Sequence, residues 1–255
     1  MALELVTLPC LKDNFAYLLH DAPSGQTALV DAPEAAPVLA ALAGRGWTLS
    51  DILITHHHDD HIQAVPELVA ATGARVLGAA ADAHRLPRLD LALAGGDRFT
   101  IGIDLVEVIE VPGHTRGHIA YHIPSCGMAF TADSLMAAGC GRLFEGTADE
   151  MHASLQKLAA LPPETLIGSG HDYLNGNLAF ARTLEPDNPA LILRIETLDR
   201  MRREGRLPMP STLAEELATN PFLRAHLPQM KAAVGLPEAT DAVVFAEIRA
   251  RKDRF

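Results

Sequence analysis

Thr55-His56-His57-His58-Asp59-Asp60-His61 is the stretch on which the reading of this chain turns. It gathers four histidines and two carboxylates directly after the apolar run Ile52-Leu53-Ile54, so imidazole and carboxylate groups leave together from the end of a strand. That donor composition is the composition of a metal site. Along an extended segment successive side chains point to opposite faces, which sends His56 and His58 one way and His57 the other, so His57 is expected not to be a ligand. Asp60-His61-Ile62-Gln63-Ala64-Val65 reads as the start of a helix that turns Asp60 and His61 back toward the same pocket. Two pairs of donors imply two metal ions. A metal-free polar turn is the weaker alternative, because so many like groups in one turn need a cation to hold them together. The internal position excludes an expression tag.

The 255 residues suffice for one good-sized core or for a core with a smaller appended domain. Apolar residues make up 48% and charged residues 21%, the balance of a soluble globular protein. No apolar run approaches the roughly 20 residues needed to cross a bilayer. Met1-Ala2-Leu3-Glu4 lacks the basic and apolar regions of a secretory signal, so a cytoplasmic protein is expected. Cys10, Cys126 and Cys140 are too few and too scattered for a disulfide framework and are expected to be buried thiols. A net charge of −11 argues against nucleic acid as a partner. An anionic small substrate would then need a local cationic site made of metals and a few placed Arg or Lys residues.

Leu3–Leu8, Phe15–Leu19 and Thr27–Asp31 read as an opening β-meander, and Pro33–Gly46 as a helix. Ile52–Ile54 returns to strand, Asp60–Gly73 to helix and Arg75–Ala79 to strand, while Ala80–Gly96 carries no firm pattern. Strands are expected at Ile103–Val111, His118–Ile123, Met128–Thr131 and Thr165–Gly168, with a helix over Ala148–Leu161. From Gly176 to Lys252 the pattern is helical, broken by prolines, with no β-like run. The expected boundary separates residues 1–172, a catalytic domain, from 173–255, a helical domain.

The residues that end these strands are informative. Val106–Pro112 closes with Gly113-His114, Ala129–Ala132 with Asp133, and Leu166–Gly170 with His171, beside Ile54-Thr55-His56. Four apolar segments thus deliver a ligand-type residue at the carboxyl end, the edge where α/β architectures place their sites. Nitrogen and oxygen donors without a thiolate favour zinc, iron or manganese. Two such ions sharing a water lower its pKa, which makes hydrolysis of a carbonyl or phosphoryl centre the expected reaction class. No GxSxG elbow, Walker loop or dinucleotide glycine fingerprint competes.

The Thr55–His61 motif resembles the THxHxDH signature of the metallo-β-lactamase superfamily, and within it the whole chain is similar to the glyoxalase II (hydroxyacylglutathione hydrolase) family. The resemblance runs through Asp13-Asn14-Phe15-Ala16-Tyr17, Pro112–His118, Gly139–Thr147, Gly170-His171-Asp172-Tyr173 with Asn177-Leu178, Glu185–Asn188 and Arg249–Asp253. It implies an α/β (α+β) fold, an αββα sandwich followed by a smaller helical domain. It implies His56, His58 and His114 on one metal and Asp60, His61 and His171 on the other, with Asp133 and a hydroxide bridging them and Asp60 and Asp133 as the catalytic carboxylates. Zinc is the first expectation for both ions, with iron or manganese as alternatives. The implied substrate is an S-(2-hydroxyacyl)glutathione thioester, S-D-lactoylglutathione in methylglyoxal detoxification, handled by a monomer. Its glutathione contacts carry over to Arg142, Phe144, Tyr173, Asn177, Arg249 and Lys252. Arg249 and Lys252 share a helix face and offer paired cations to carboxylates.

Two departures stand out. Arg142 and Phe144 occupy positions where some members carry Lys and Tyr, which keeps a cation and removes a phenol hydroxyl; Gln63-Ala64 replaces a pair of glycines and is expected to alter helix packing. His118 and Asp59 are possible supports of the ligands, with a purely structural role as the alternative. Three other readings compete. A glutathione persulfide dioxygenase of the same fold would use one iron, against which the helical tail ending in Arg249 and Lys252 speaks. A lactonase or β-lactamase would not need the tail's cations, and a non-catalytic metal protein would not need a bridging Asp133.

Overall fold

The computed structural model describes residues 3–255; the reading of Met1–Glu4 lies partly outside them. In chain order the elements are β1 (Glu4–Cys10), β2 (Asn14–Asp21), β3 (Gln26–Val30), α1 (Ala35–Arg45), β4 (Asp51–Leu53), α2 (Asp59–Ile62), α3 (Val65–Thr72), β5 (Arg75–Ala79), β6 (Leu91–Leu93), β7 (Arg98–Ile101), β8 (Asp104–Glu110), β9 (Ile119–Ile123) and β10 (Met128–Ala132). They continue with β11 (Leu135–Met136), β12 (Gly139–Cys140), α4 (Ala148–Ala159), β13 (Leu166–Ser169), α5 (Leu174–Leu184), α6 (Pro189–Arg203), β14 (Ser211–Thr212), α7 (Leu213–Thr219), α8 (Pro228–Ala233) and α9 (Asp241–Arg254).

Two mixed sheets result, β1-β2-β3-β4-β5-β6 and β14-β13-β10-β9-β8-β7. The strand period of two decides how they pack. In β2, Phe15, Tyr17 and Leu19 join Ile119, Tyr121 and Ile123 of β9 in the core between the sheets. The intervening Ala16 and Leu18 face outward onto Val38 and Leu42 of α1 and Val65 and Leu68 of α3. On the far side Ala120, Ala129 and Ile167 are covered by Met151, Leu155 and Leu158 of α4 and by Phe222 and Phe245 of the C-terminal segment. The molecule is thus a helix–sheet–sheet–helix sandwich extended by C-terminal helices.

Both sheets are tied together at one edge. Tyr121 donates its hydroxyl to the Ile54 carbonyl (2.7 Å), Tyr17 donates to the Ser169 carbonyl (2.7 Å), and Ile119 N–H bonds the Thr55 carbonyl (3.0 Å). Each tie falls next to a segment that carries histidine, so the strand ends that bear the candidate donors meet across the sandwich.

Several elements differ from the pattern reading, among them the short paired strands β11 and β12, for which no strand was expected. The helix expected over Asp60–Gly73 is broken into α2 and α3, because Pro66 in the first turn of α3 has no N–H to continue the ladder. Both β6 and β7 escape detection because they are sheet edges of three and four residues, too short for a period of two to register, even though Phe99 and Ile101 of β7 point to the core and Arg98 and Thr100 to solvent. The two-residue β14 interrupts the region read as wholly helical, pairing Ser211 and Thr212 with Ile167 and Leu166; so short a strand exists only through its partner. Thr212 is also the N-cap of α7, in a reciprocal capping box with Glu215.

Candidate metal centre and binding cavity

His56, His58 and His114 converge as one group of donors, and Asp60, His61 and His171 as another; within each group the donor atoms lie within 4.8 Å of one another. His58 Nδ1 stands 3.1 Å from His56 Nε2 and 3.0 Å from His114 Nε2, and His61 Nε2 is 3.3 Å from His171 Nε2. Between the groups lies Asp133. Its Oδ2 is 3.4 Å from both His114 Nε2 and His171 Nε2, and its Oδ1 is 3.6 Å from His61 Nε2. All seven expected ligand residues therefore meet at one edge of the sandwich. His57 turns away, toward Asp82 and Glu145, as strand alternation requires.

The electrostatics separate the two groups. Burial pushes His56 far below the usual histidine value and His58 down to about 4, and it also lowers His114; neighbouring imidazoles add to the effect. Neutral imidazole is the form that ligates a metal. His171 behaves oppositely: burial works against its charge, yet the carboxylates of Asp133, Asp60 and Asp13 push it up to about 12. Burial would raise the Asp133 carboxyl, but His61 and His171 hold it well below the carboxylate range, and His171 does the same for Asp60. A carboxylate set that draws positive charge so strongly, beside a cluster of neutral imidazoles, fits a pair of divalent cations. Asp133 Oδ1 is buried with no hydrogen-bond partner, which fits a lone pair reserved for such an ion.

Support for the ligands comes from residues that pattern reasoning left without a role. Asp31 Oδ2 lies 2.8 Å from His61 Nδ1 and accepts from Thr55 Oγ1 (2.8 Å). Asp13 Oδ1 meets His171 Nδ1, and Asn14 Nδ2 donates to the Asp60 carboxylate (3.1 Å). The Arg142 carbonyl takes the Nδ1 side of His114 (2.8 Å). Asp31, Asp13 and the Arg142 carbonyl each fix a ring's orientation and tautomer, and Asn14 holds the Asp60 carboxylate. Asp31 directly follows β3, so the regularity that marked Asp133 also marks it. Asp31 (φ 55°) and Ala132 (φ 40°) are left-handed, at about 1–2 kcal/mol per L-residue, less for Asp. His118 lies flat against the His56 ring, 4.7 Å between centroids, and Asp59 is exposed; neither joins the donor groups.

A cavity of about 630 Å³ opens beside Asp133 and His114, and its wall includes Arg142, Phe144, Tyr173, Asn177, Arg249 and Lys252. Phe144, 64% exposed, meets the His58 and His114 rings edge-on (5.6 and 5.3 Å). Tyr173 stacks on His171 at 4.7 Å. Asn177 is buried and donates to the Ala137 carbonyl (2.9 Å). Arg249 reaches the cavity with its guanidinium already engaged, Nη1 on the Cys140 carbonyl (2.9 Å) and Nη2 on Asp253 (2.8 Å), while among the described residues Lys252 Nζ donates only to the Gly176 carbonyl (3.1 Å). Lys252 is half-buried, with Nζ 5.4 and 5.1 Å from the Phe180 and Phe255 ring centres; burial and the nearby Arg249 and Arg142 lower its pKa. Cys140 is a buried thiol pushed up to about 11 by burial, as is Cys10 to about 12, whereas Cys126 is only partly buried.

Among the described residues no helix is long and apolar enough to cross a membrane. The family model described as Metallo-beta-lactamase superfamily matches residues 13–171, and that described as Hydroxyacylglutathione hydrolase C-terminus matches 172–255. A protein of Fuscovulum blasticum named hydroxyacylglutathione hydrolase is 78% identical over the full length of both chains, and one of that name from Cereibacter sphaeroides is 64% identical, again over both full lengths. Among solved structures, ETHE1 from Myxococcus xanthus is similar with a TM-score of 0.67 at 25% identity, covering 98% of this chain and 90% of that one. TTHA1623 in a di-iron-bound form is similar with a TM-score of 0.57 at 30% identity, covering 66% of this chain and 92% of that one. With both halves matched by their family models and full-length relatives of one name, the chain belongs to the hydroxyacylglutathione hydrolase family of the metallo-β-lactamase superfamily.

Proposed function

We propose that this protein hydrolyses S-(2-hydroxyacyl)glutathione thioesters, S-D-lactoylglutathione to D-lactate and glutathione above all, as a cytoplasmic monomer in methylglyoxal detoxification. The observation that carries this reading is the opening of one cavity onto both the Asp133 donor groups and the cations of the C-terminal segment. We assign His56, His58 and His114 to one metal, Asp60, His61 and His171 to the other, Asp133 to both, and residues 173–255 to substrate binding. Zinc is our first choice for the metals, with iron and manganese next; the di-iron form of the similar TTHA1623 supports two ions. When bound, such ions supply Lewis acidity and ionise a water near neutral pH.

The chain's own residues supply the rest. Lys252 and Arg142 attract the carboxylates of the glutathione moiety, and Tyr173 and Asn177 line its path. Phe144 shields the reacting end from water above His58 and His114. Asp60 and Asp133 stay ionised at neutral pH and so offer carboxylate oxygens to cations. A thiol of pKa about 8.5 departs as thiolate, so a thioester needs no proton donor where an amide would. Metal analysis coupled to steady-state kinetics on S-D-lactoylglutathione tests the reading. Turnover with two ions per chain is expected, together with loss of activity and metal in His58→Ala. A fully metallated chain that releases no thiol would refute it.

A further inference from the structure

His57 is the histidine of the opening motif that the metal centre does not absorb. It faces two carboxylates, Asp82 Oδ2 at 3.3 Å and Glu145 Oε1 at 3.6 Å, and these belong to a network on the outer side of the centre. Arg85 organises that network. Its Nη1 and Nη2 donate to the two oxygens of Glu145 (2.5 and 2.8 Å), while Nε and Nη2 donate to Asp82 Oδ1 (3.0 and 2.8 Å). Glu145 Oε2 also accepts the Arg116 N–H (2.8 Å). Paired guanidinium–carboxylate bonds fix direction as well as distance. Arg85 holds the Glu145 carboxyl down to about 2.

The Glu145 end of this network matters because residues 141–147 form no helix or strand. Two backbone bonds, Phe144 N–H to the His114 carbonyl (3.3 Å) and Gly146 N–H to the Gly113 carbonyl (3.0 Å), hold the loop to the segment of His114. The same loop presents Arg142 and Phe144 to the cavity, to which Arg85 itself does not contribute a wall. We propose that Arg85 is a positioning residue: through its paired bonds to Glu145 it holds the 142–145 loop, and with it Phe144, against the rings of His58 and His114 from outside the cavity. Its consequence for substrate rests on the activity proposed above; its consequence for the loop does not.

The test uses the metal-loaded full chain with Arg85→Ala, Arg85→Lys, Glu145→Gln and the double variant Arg85→Ala/Glu145→Gln. Hydrogen exchange is read over 141–147, and KM and kcat are read on S-D-lactoylglutathione. Faster exchange at Phe144 and Gly146 is expected in R85A and E145Q, with metal content as in the parent and KM raised about tenfold, the equivalent of ~1.4 kcal/mol, while kcat falls less. R85K keeps the charge but bonds one oxygen at a time, so it lies between, and it guards against a folding failure of R85A. The double variant is no worse than the worse single one, because both changes break one tether; additive losses overturn the proposal. So does parental exchange at Phe144 in both R85A and E145Q. If the parent releases no thiol, the proposed activity fails, and the exchange result still decides the tether.

Discussion

Asp13 Oδ1 lies 2.9 Å from Nδ1 of His171, a carboxylate–imidazole pair that joins residues 158 positions apart. It bridges the turn between β1 and β2 to the residues just after β13, beside the isolated bridge between Asn14 and His171. With Nδ1 so engaged, Nε2 of His171 is the nitrogen aimed at Asp60 and Asp133.

Removing that partner leaves the ring free to rotate. Asp13→Ala is expected to weaken metal binding at the Asp60–His61–His171 group by about 10–100-fold while leaving the other group intact. Competition with a chromogenic chelator measures both affinities. An unchanged weaker site would show that Asp13 does not orient His171.

Gly170 precedes His171 and has no room for a side chain. A Cβ there would come 2.3 Å from Asp133 Oδ1 and 2.8 Å from His61 Cε1, and both side chains are buried. Gly170→Ala is expected to fold and to lose most of its metal and activity, read by metal analysis beside circular dichroism. Full metal content in the variant would contradict the geometry.

Lys252 predicts an alkaline limb. Burial, Arg249 and Arg142 lower its pKa, so its charge is present below that lowered value and is lost as pH rises through it. KM for a glutathione thioester should therefore climb at lower pH than an ordinary lysine of pKa about 10.4 would cause. Lys252→Arg should move the rise beyond the accessible range. A small neutral thioester should show no such limb, and an equal limb for both substrates would separate Lys252 from substrate binding.

Glu216 and Arg194 form a buried ion pair that governs the turn after Asp133. Glu216 also accepts from Ser211 Oγ (2.8 Å) and from the N–H of Ala138 (2.7 Å), whose φ is 52°, and Asn220 Nδ2 holds the carbonyls of Met136 and Gly139 (3.1 and 2.9 Å). Arg194→Ala leaves the fully buried Glu216 carboxylate without its cation, so a loss of about 3–5 kcal/mol is expected in urea unfolding. A loss under about 1 kcal/mol, the range of an exposed pair, would mean that solvent reaches Glu216.

Much of this site was legible in order along the chain. The alternation of His56, His57 and His58 assigned each ring to the correct side, because side-chain direction in an extended segment is a local property. The closing of apolar runs with His114, Asp133 and His171 located the other donors for a similar reason: buried strands announce themselves by composition, and the next residues along the chain sit at the sheet edge. Edge strand β6 and the minimal β14 were illegible because pairing partners, not their own residues, make them strands, and β7, which does alternate, was too short to register. Asp13 and Asp31 stood in plain view, yet nothing in their neighbourhoods says which imidazole each will meet.

Residue order alone set the chemistry available to this protein: which imidazoles and carboxylates are candidate donors, which strands are buried, where helices begin, and the kinship that its motifs display. Which residue supports which was settled in three dimensions. Folding engaged the Arg249 guanidinium with Cys140 and Asp253, left Lys252 between two aromatic rings, and set Arg85 behind the loop of Phe144. Candidate donors are read from residue type and short-range periodicity, whereas hydrogen-bond partnership depends on the packing of two sheets whose register no local segment encodes.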